Sequence, residues 1–272
     1  MKTAKKPSYP RRQAGVRPGG SATEVLYGVH SCVEALRAER RQIFALLVKP
    51  GAQRRPEVRE LIRVAEARGL PVRSLGSELL DSDLDKNDVA NPQGVGLQVG
   101  PLPELEIEDL VSPSDAPRRL VILDGVEDPQ NVGALARVAE GAGVRGMVLS
   151  KRRAPPLSPA LARASAGAIE WLPVARVTNL ARGIKYLKSQ GFWIVGADPS
   201  APESLYQVPD RVLQGDLAVV MGAEGRGLRP EVRKLVDHPV RIEMRGQVAS
   251  LNVSAAAAVL LFELLRRADL GS

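Results

Sequence analysis

Three short blocks in the second half of this 272-residue chain hold residue types able to do chemistry. Residues 123–137 end a run of apolar residues with Asp124, pass through Asp128-Pro129 and reach Asn131 and Arg137. Arg137 lies nearly two helical turns beyond Asn131, so it is expected to extend from roughly the same side of the helix toward the same strand-end cleft. Set among Ala134, Leu135, Ala136, Val138 and Ala139, its guanidinium is a fixed cation suited to a phosphate or a ribose oxygen. Residues 219–228 run from apolar side chains into Gly222-Ala223-Glu224-Gly225-Arg226-Gly227. Glycines permit tight turns and close approach of backbone to a ligand. A carboxylate among them can receive a proton or orient a hydroxyl. In residues 248–254, Ser250 and Asn252 flank Leu251 just before a long apolar run. Each block also has an ordinary structural explanation. Asn131, Ser250 or Asn252 can cap a helix, the glycines can form a strand-to-helix turn, and Arg137 can lay its stem on its neighbours.

Several other chemistries are disfavoured. The glycine block is neither a phosphate loop ending in Gly-Lys-Ser/Thr nor the Gly-x-Gly-x-x-Gly fingerprint of a nicotinamide enzyme. No Gly-x-Ser-x-Gly elbow occurs, and neither His30 nor His238 sits in a nucleophile setting. The single Cys32 excludes an internal disulfide framework, and with two distant histidines it leaves no metal-ligand cluster, so no metal is expected. Without an apolar run of about 18 residues or a signal-peptide pattern, the expected compartment is the cytoplasm, with no membrane partner.

The elements that must position these blocks are readable from hydrophobic periodicity. The net charge of +7 is concentrated at the start, where Lys2, Lys5, Lys6, Arg11, Arg12 and Arg17 precede any acidic residue. Residues 1–23 read as a disordered basic tail, either a solubilising extension or a flexible arm for RNA phosphates. Aromatic residues make up only 3% of the chain, which argues against single-strand binding by base stacking. Helices near 29–37 and 56–65 alternate with strands at 43–48, 72–75 and 94–99, giving a small α/β module over 24–99. A proline- and acid-rich stretch, 100–117, reads as a linker. In 118–272, strands are expected at 120–123, 146–149, 170–172, 193–197, 217–221 and 240–242. Helices are expected at 132–140, 159–166, 179–189, 229–234 and 252–267. Short apolar strands separated by helices imply a mostly parallel sheet covered on both faces. Ligands on such sheets sit beyond the strand carboxyl ends, where all three blocks fall.

With these blocks in this order, the chain resembles the SpoU (TrmH) family of the SPOUT superfamily, S-adenosylmethionine-dependent RNA ribose 2′-O-methyltransferases. The likeness spans about residues 120–267. The preceding module, with Tyr27-Gly28-Val29-His30-Ser31 and Gln93-Gly94-Val95-Gly96, resembles the small RNA-binding domain of one branch, which methylates a guanosine of large-subunit ribosomal RNA. The resemblance implies a trefoil-knotted α/β domain at the C-terminus and a homodimer whose active site draws on both subunits. It places Gly222, Ile242 and Leu251 against the cofactor, Glu224, Ser250 and Asn252 in a polar wall, and Asn131 and Arg137 toward the RNA. In the family the counterpart of Arg137 has been assigned the proton-accepting role. The small domain often carries His before Gln-Gly-Val, whereas this chain has Pro92 there. A transfer-RNA ribose methyltransferase and a catalytically silent RNA-binding or ribosome-assembly protein remain alternatives.

Overall fold

A computed structural model describes residues 23–74 and 93–270. The basic tail and Pro92 lie outside the described residues. In chain order the first elements are β1 (Glu24–Tyr27), α1 (Val29–Ala38), β2 (Ile43–Val48), α2 (Pro56–Ala67), β3 (Val72–Ser74) and β4 (Val95–Val99). Then come α3 (Ile107–Leu110), β5 (Arg119–Asp124), α4 (Pro129–Gly141), β6 (Gly146–Ser150), α5 (Pro159–Ala164), β7 (Val174–Val177), α6 (Leu180–Ser189) and β8 (Trp193–Ala197). The chain finishes with β9 (Glu203–Ser204), α7 (Asp210–Leu213), β10 (Leu217–Gly222), α8 (Pro230–Arg233), β11 (His238–Arg241) and α9 (Val253–Leu270).

Two compact units result. One holds described residues up to 103 together with 156–171, and the other holds 104–155 and 172–270. The first is built on a four-stranded sheet of order β1-β4-β2-β3. Pro56 opens α2, where its missing N–H costs nothing, and Val58, Leu61 and Ala65 form the buried stripe that holds the helix in place. A buried ion pair fastens 156–171 into this unit. Arg41 donates from Nε to Glu170 Oε2 at 2.9 Å and from Nη2 to Oε1 at 2.8 Å, and also reaches Glu24 and the Gly100 carbonyl. Burial pushes the Glu170 carboxyl above its ordinary value, against the opposing pull of Arg41. This pairing corrects the expected strand at 170–172. Ala166 and Gly167 take left-handed conformations, Ala168–Glu170 form a 3-10 turn that presents the carboxylate to Arg41, and the strand starts only at Val174.

The second unit carries a seven-stranded sheet of order β7-β6-β5-β10-β8-β11-β9, parallel throughout. All carboxyl ends therefore share one edge. Leu120 and Ile122 of β5, Ala218 and Val220 of β10, and Leu180, Ile184 and Leu187 of α6 form one buried cluster. The alternate residues Val121, Leu123, Val219 and Met221 are buried as well, which explains strands that read as continuous apolar runs. α9 packs on α4, α7 and β10. Residues in the stretch read as a linker join this core: the Leu105 N–H donates to the Val174 carbonyl at 2.9 Å, and Ile107 and Leu110 are buried in the same cluster.

At the opposite edge, Asp216 clamps the start of β5 to the start of β10. Its Oδ1 accepts the Arg118 N–H at 2.6 Å and its Oδ2 accepts Arg118 Nε at 3.0 Å. Burial works to raise the Asp216 carboxyl, but the hydrogen bonds and charge of Arg118 outweigh it and hold the group below its ordinary value. A depressed carboxylate adds stability above its unfolded pKa and loses it as pH falls through the folded one. Asp216→Asn is therefore expected to lower unfolding free energy by about 1–2 kcal/mol near neutral pH, with the difference shrinking below about pH 4. Urea unfolding of both proteins at the two pH values checks this. An equal difference at both would remove the electrostatic account.

Candidate active site

The site is assembled from segments that leave the carboxyl ends of three parallel strands. β5 ends at Asp124, and α4 begins after Asp128, whose side chain accepts the Gln130 N–H at 3.0 Å. Asp128, not Asn131, is therefore the cap of this helix, as Pro129 at the first helical position requires. Asn131 is left in the first turn with its amide available. β10 ends at Gly222, and the chain turns back through a bridge between Ala223 and Gly227, with Gly225 and Gly227 at positive φ. Gly222 has no room for a side chain: a Cβ there would overlap the Gly227 carbonyl group and stand 2.6 Å from the Leu228 nitrogen. Beyond β11, Asn252 precedes α9 and caps it, its Oδ1 accepting the Ser254 N–H at 2.9 Å.

These three segments bring Asn131, Glu224 and Asn252 together. Asn252 Nδ2 donates to Glu224 Oε1 at 2.6 Å and to Asn131 Oδ1 at 2.9 Å. Asn131 Nδ2 and the Val253 N–H also point at Glu224 Oε1, at 3.3 and 3.4 Å. One carboxylate oxygen thus collects three donors from two helix starts, while Oε2 makes no hydrogen bond among the described residues. Arg137 is not drawn into this network. This corrects the expected shared side of the helix: six residues at about 100° each put Arg137 on another side of α4 from Asn131, exposed and without a hydrogen bond or ion pair among the described residues. Ser250 is exposed beside Leu251 and makes no hydrogen bond among them either.

The proposed cofactor-side residues fall around the neighbouring strands. Gly222 closes β10, Ile242 follows β11, and both strands flank β8. Ile242 lines a cleft of 590 Å³ with Pro199, Arg241, Glu243, Met244, Arg245 and Ala249. Met244, Val248 and Leu251 present apolar surface to solvent along 242–251, an arrangement suited to covering a partly apolar ligand. Among the described residues no cluster of three metal-ligating side chains occurs, and no helix is long and apolar enough to cross a membrane.

Two residues were missed in the sequence. Asp124 is fully buried at the end of β5. Its Oδ2 accepts the Arg229 N–H at 2.8 Å and its Oδ1 accepts Arg229 Nε at 2.5 Å. This latch fixes the far end of the loop that carries Glu224. An acid closing an apolar strand, and an arginine just before a helix-opening proline, were the available signals.

The chain matches the SpoU rRNA Methylase family over residues 118–262. Residues 25–105 match the RNA 2'-O ribose methyltransferase substrate binding family. It is 38% identical over 250 residues to the 23S rRNA (guanosine-2'-O-)-methyltransferase RlmB of Escherichia coli (strain K12), covering 90% of this chain and 99% of that protein. Among solved structures it is similar to the SpoU methyltransferase AviRb from Streptomyces viridochromogenes, with a TM-score of 0.75 and 23% identity over 92% of this chain and 91% of that one. It is also similar to an AdoMet-bound rRNA methyltransferase from Sinorhizobium meliloti, with a TM-score of 0.72 and 24% identity over 90% of this chain and 87% of that one.

The crowding at Gly222 gives a direct test. Gly222→Ala must push the 223–228 loop away, so S-adenosylmethionine affinity is expected to fall by at least about tenfold, a loss of about 1.4 kcal/mol, with secondary structure retained. Calorimetric titration and circular dichroism measure both. Wild-type affinity would show that the loop can yield without disturbing the ligand.

Proposed function

Since the chain belongs to the SpoU rRNA methylase family, we propose that it transfers a methyl group from S-adenosylmethionine to the ribose 2′-oxygen of a guanosine in 23S ribosomal RNA. The observation that carries the site assignment is the convergence of the Asn131 and Asn252 amides on Glu224 Oε1, with the two asparagines also bonded to each other. The substrate-binding match over 25–105 supports the N-terminal unit as the part that engages RNA.

The residues present fit the cofactor. The cleft beside Ile242 combines the polar Arg241 and Glu243 with the apolar Met244 and Pro199, and the missing side chain at Gly222 lets the returning 227–228 backbone pack against the end of β10. Gly222, Ile242 and Leu251 would hold the group, and when bound it supplies an electrophilic methyl. The chain's own task is to hold a ribose 2′-hydroxyl and deal with its proton, with positioning supplying much of the acceleration. Asn131 and Asn252, locked through Glu224 Oε1, are pre-set to orient polar groups at the crevice. Arg137 either takes the 2′-hydroxyl proton or stabilises the oxygen as charge develops on it, while Glu224 Oε2, phosphate or water accepts the proton. A guanidinium is a poor base in free solution, which favours the second role.

A homodimer in the cytoplasm, with a trefoil knot in the C-terminal unit, completes the reading. Val259 and Phe262 of α9 stay exposed on one face with Ala255, an apolar stripe suited to a second copy. A partner there would also give the unpaired Arg137 a route into a composite site. The all-parallel strand order, with β10 between β5 and β8, is in keeping with the family's knotted domain.

Mapping ribose methylations in total RNA, with and without the active gene, tests the substrate. Loss of one 23S guanosine signal is expected, and loss from transfer RNA alone would sink the assignment. For the proton, pH-rate profiles of Arg137→Lys and Glu224→Gln discriminate. Arg137→Lys is expected to lose at least about 100-fold, within the range of general acid–base and electrostatic contributions. An unchanged rate in Glu224→Gln would remove the carboxylate as acceptor.

A further inference from the structure

A second cavity, of 340 Å³, lies beyond the carboxyl ends of β6 and β7 and is not used by the reaction site described above. Arg152, Arg153 and Arg229 contribute to its wall, with Glu231 the one acidic group among them. Arg229 is committed to Asp124 and to Glu231, at 3.2 Å from the latter. The surplus positive charge is carried by Arg152 and Arg153, whose exposed side chains make no hydrogen bond or ion pair among the described residues.

The backbone beneath these two arginines is firmly held. The largely buried Arg176 donates to the Lys151 carbonyl at 3.1 Å and to the Pro155 carbonyl at 3.3 Å. The Lys151 N–H reaches the Val177 carbonyl at 2.8 Å, and the Ser150 hydroxyl donates to the Arg152 carbonyl. Arg153 occupies the left-handed region at φ 64°, a conformation that a non-glycine residue keeps only where its surroundings hold it. The held backbone thus sets two guanidiniums, unpaired among the described residues, at the mouth of a cavity, where they can meet an anion with charge-assisted hydrogen bonds. The start of α6 forms another part of the wall through Leu180 and Ala181 and adds its favourable dipole end.

We infer that this cavity seats a phosphodiester group of the RNA backbone, gripped by Arg152 and Arg153. The inference rests on the RNA reading proposed above. Because the sheet is parallel, the cavity shares its edge with the Asn131–Glu224–Asn252 crevice. β6 and β7 are the first and second strands beyond β5, so at about 4.8 Å per strand an RNA segment held at one can run on to the other. The contact is with phosphate alone, so it contributes affinity and register with no choice of base.

The test is binding of a fluorescein-labelled 23S rRNA fragment by anisotropy across a salt series, with the full chain and with Arg152→Ala/Arg153→Ala. The variant is expected to bind at least about fivefold more weakly at low salt. Its log-affinity against log-salt slope should be shallower by about 0.7 for each single-strand phosphate that the protein no longer neutralises. S-adenosylmethionine affinity and thermal midpoint should be unchanged. Arg182→Ala/Lys185→Ala, which removes two exposed cations of α6 outside the cavity, is the control and should stay within about twofold of wild type. Wild-type affinity and slope in the cavity variant, or an equal drop in the control, overturns the inference. So does saturable binding of guanosine monophosphate that the cavity variant loses while its RNA slope is unchanged. Tight wild-type binding to RNA without methyl transfer would sink the proposed function, while the same slopes still decide the cavity.

Discussion

The steric contact at Gly222 governs the geometry of this site. The end of β10 lies so close to the returning backbone at Gly227 and Leu228 that no side chain fits. With that approach made, the loop folds into a tight bridge and lifts Glu224 away from the sheet edge toward the starts of α4 and α9. The buried Asp124 then fixes the far end of the loop through Arg229. One crowded glycine and one buried carboxylate thus set where a second, exposed carboxylate stands. Glu224 in turn ties two helix termini that are more than one hundred residues apart in sequence.

Much of the architecture was legible because parallel strands buried on both faces leave apolar runs that polar helices interrupt. β5, β8 and β10 begin and end within a residue or two of the runs that announced them. The polar partners explain where reading failed. The triplet at 170–172 looked like a strand, yet Glu170 answers to Arg41, a residue 129 positions away that no local pattern reveals. Similarly, Ile107 and Leu110 were diluted by acids and prolines, so their burial against the sheet was hidden.

In the site itself, chemistry was easier to see than roles. Asn131, Glu224 and Asn252 stood out as polar residues in glycine-rich or apolar surroundings, and they do meet. Asn131 looked like a helix cap until Asp128-Pro129 took that position, which freed its amide for Glu224. Asp124 and Arg229 gave weaker signals, an acid closing an apolar strand and an arginine before a proline, because neither shows without the other that the acid is buried and needs a partner. Arg137 is conspicuous in sequence yet makes no hydrogen bond or ion pair among the described residues, so its role was the least legible of the set.

The Arg41–Glu170 pair bears on how this chain can be divided. The N-terminal unit is discontinuous: its described part up to 103 is completed by 156–171, and among the described residues the backbone passes between units at three points. A fragment ending near residue 100 would keep Arg41 beside Glu24 but lose Glu170, the carboxylate that meets its guanidinium with two hydrogen bonds, and removing one partner from a buried ion-pair network is destabilising. Gene fusion or truncation at the obvious proline-rich boundary would therefore strip the N-terminal unit of its bidentate buried ion pair. The two units are joined like interleaved fingers in the chain's connectivity, and neither can be borrowed without a piece of the other.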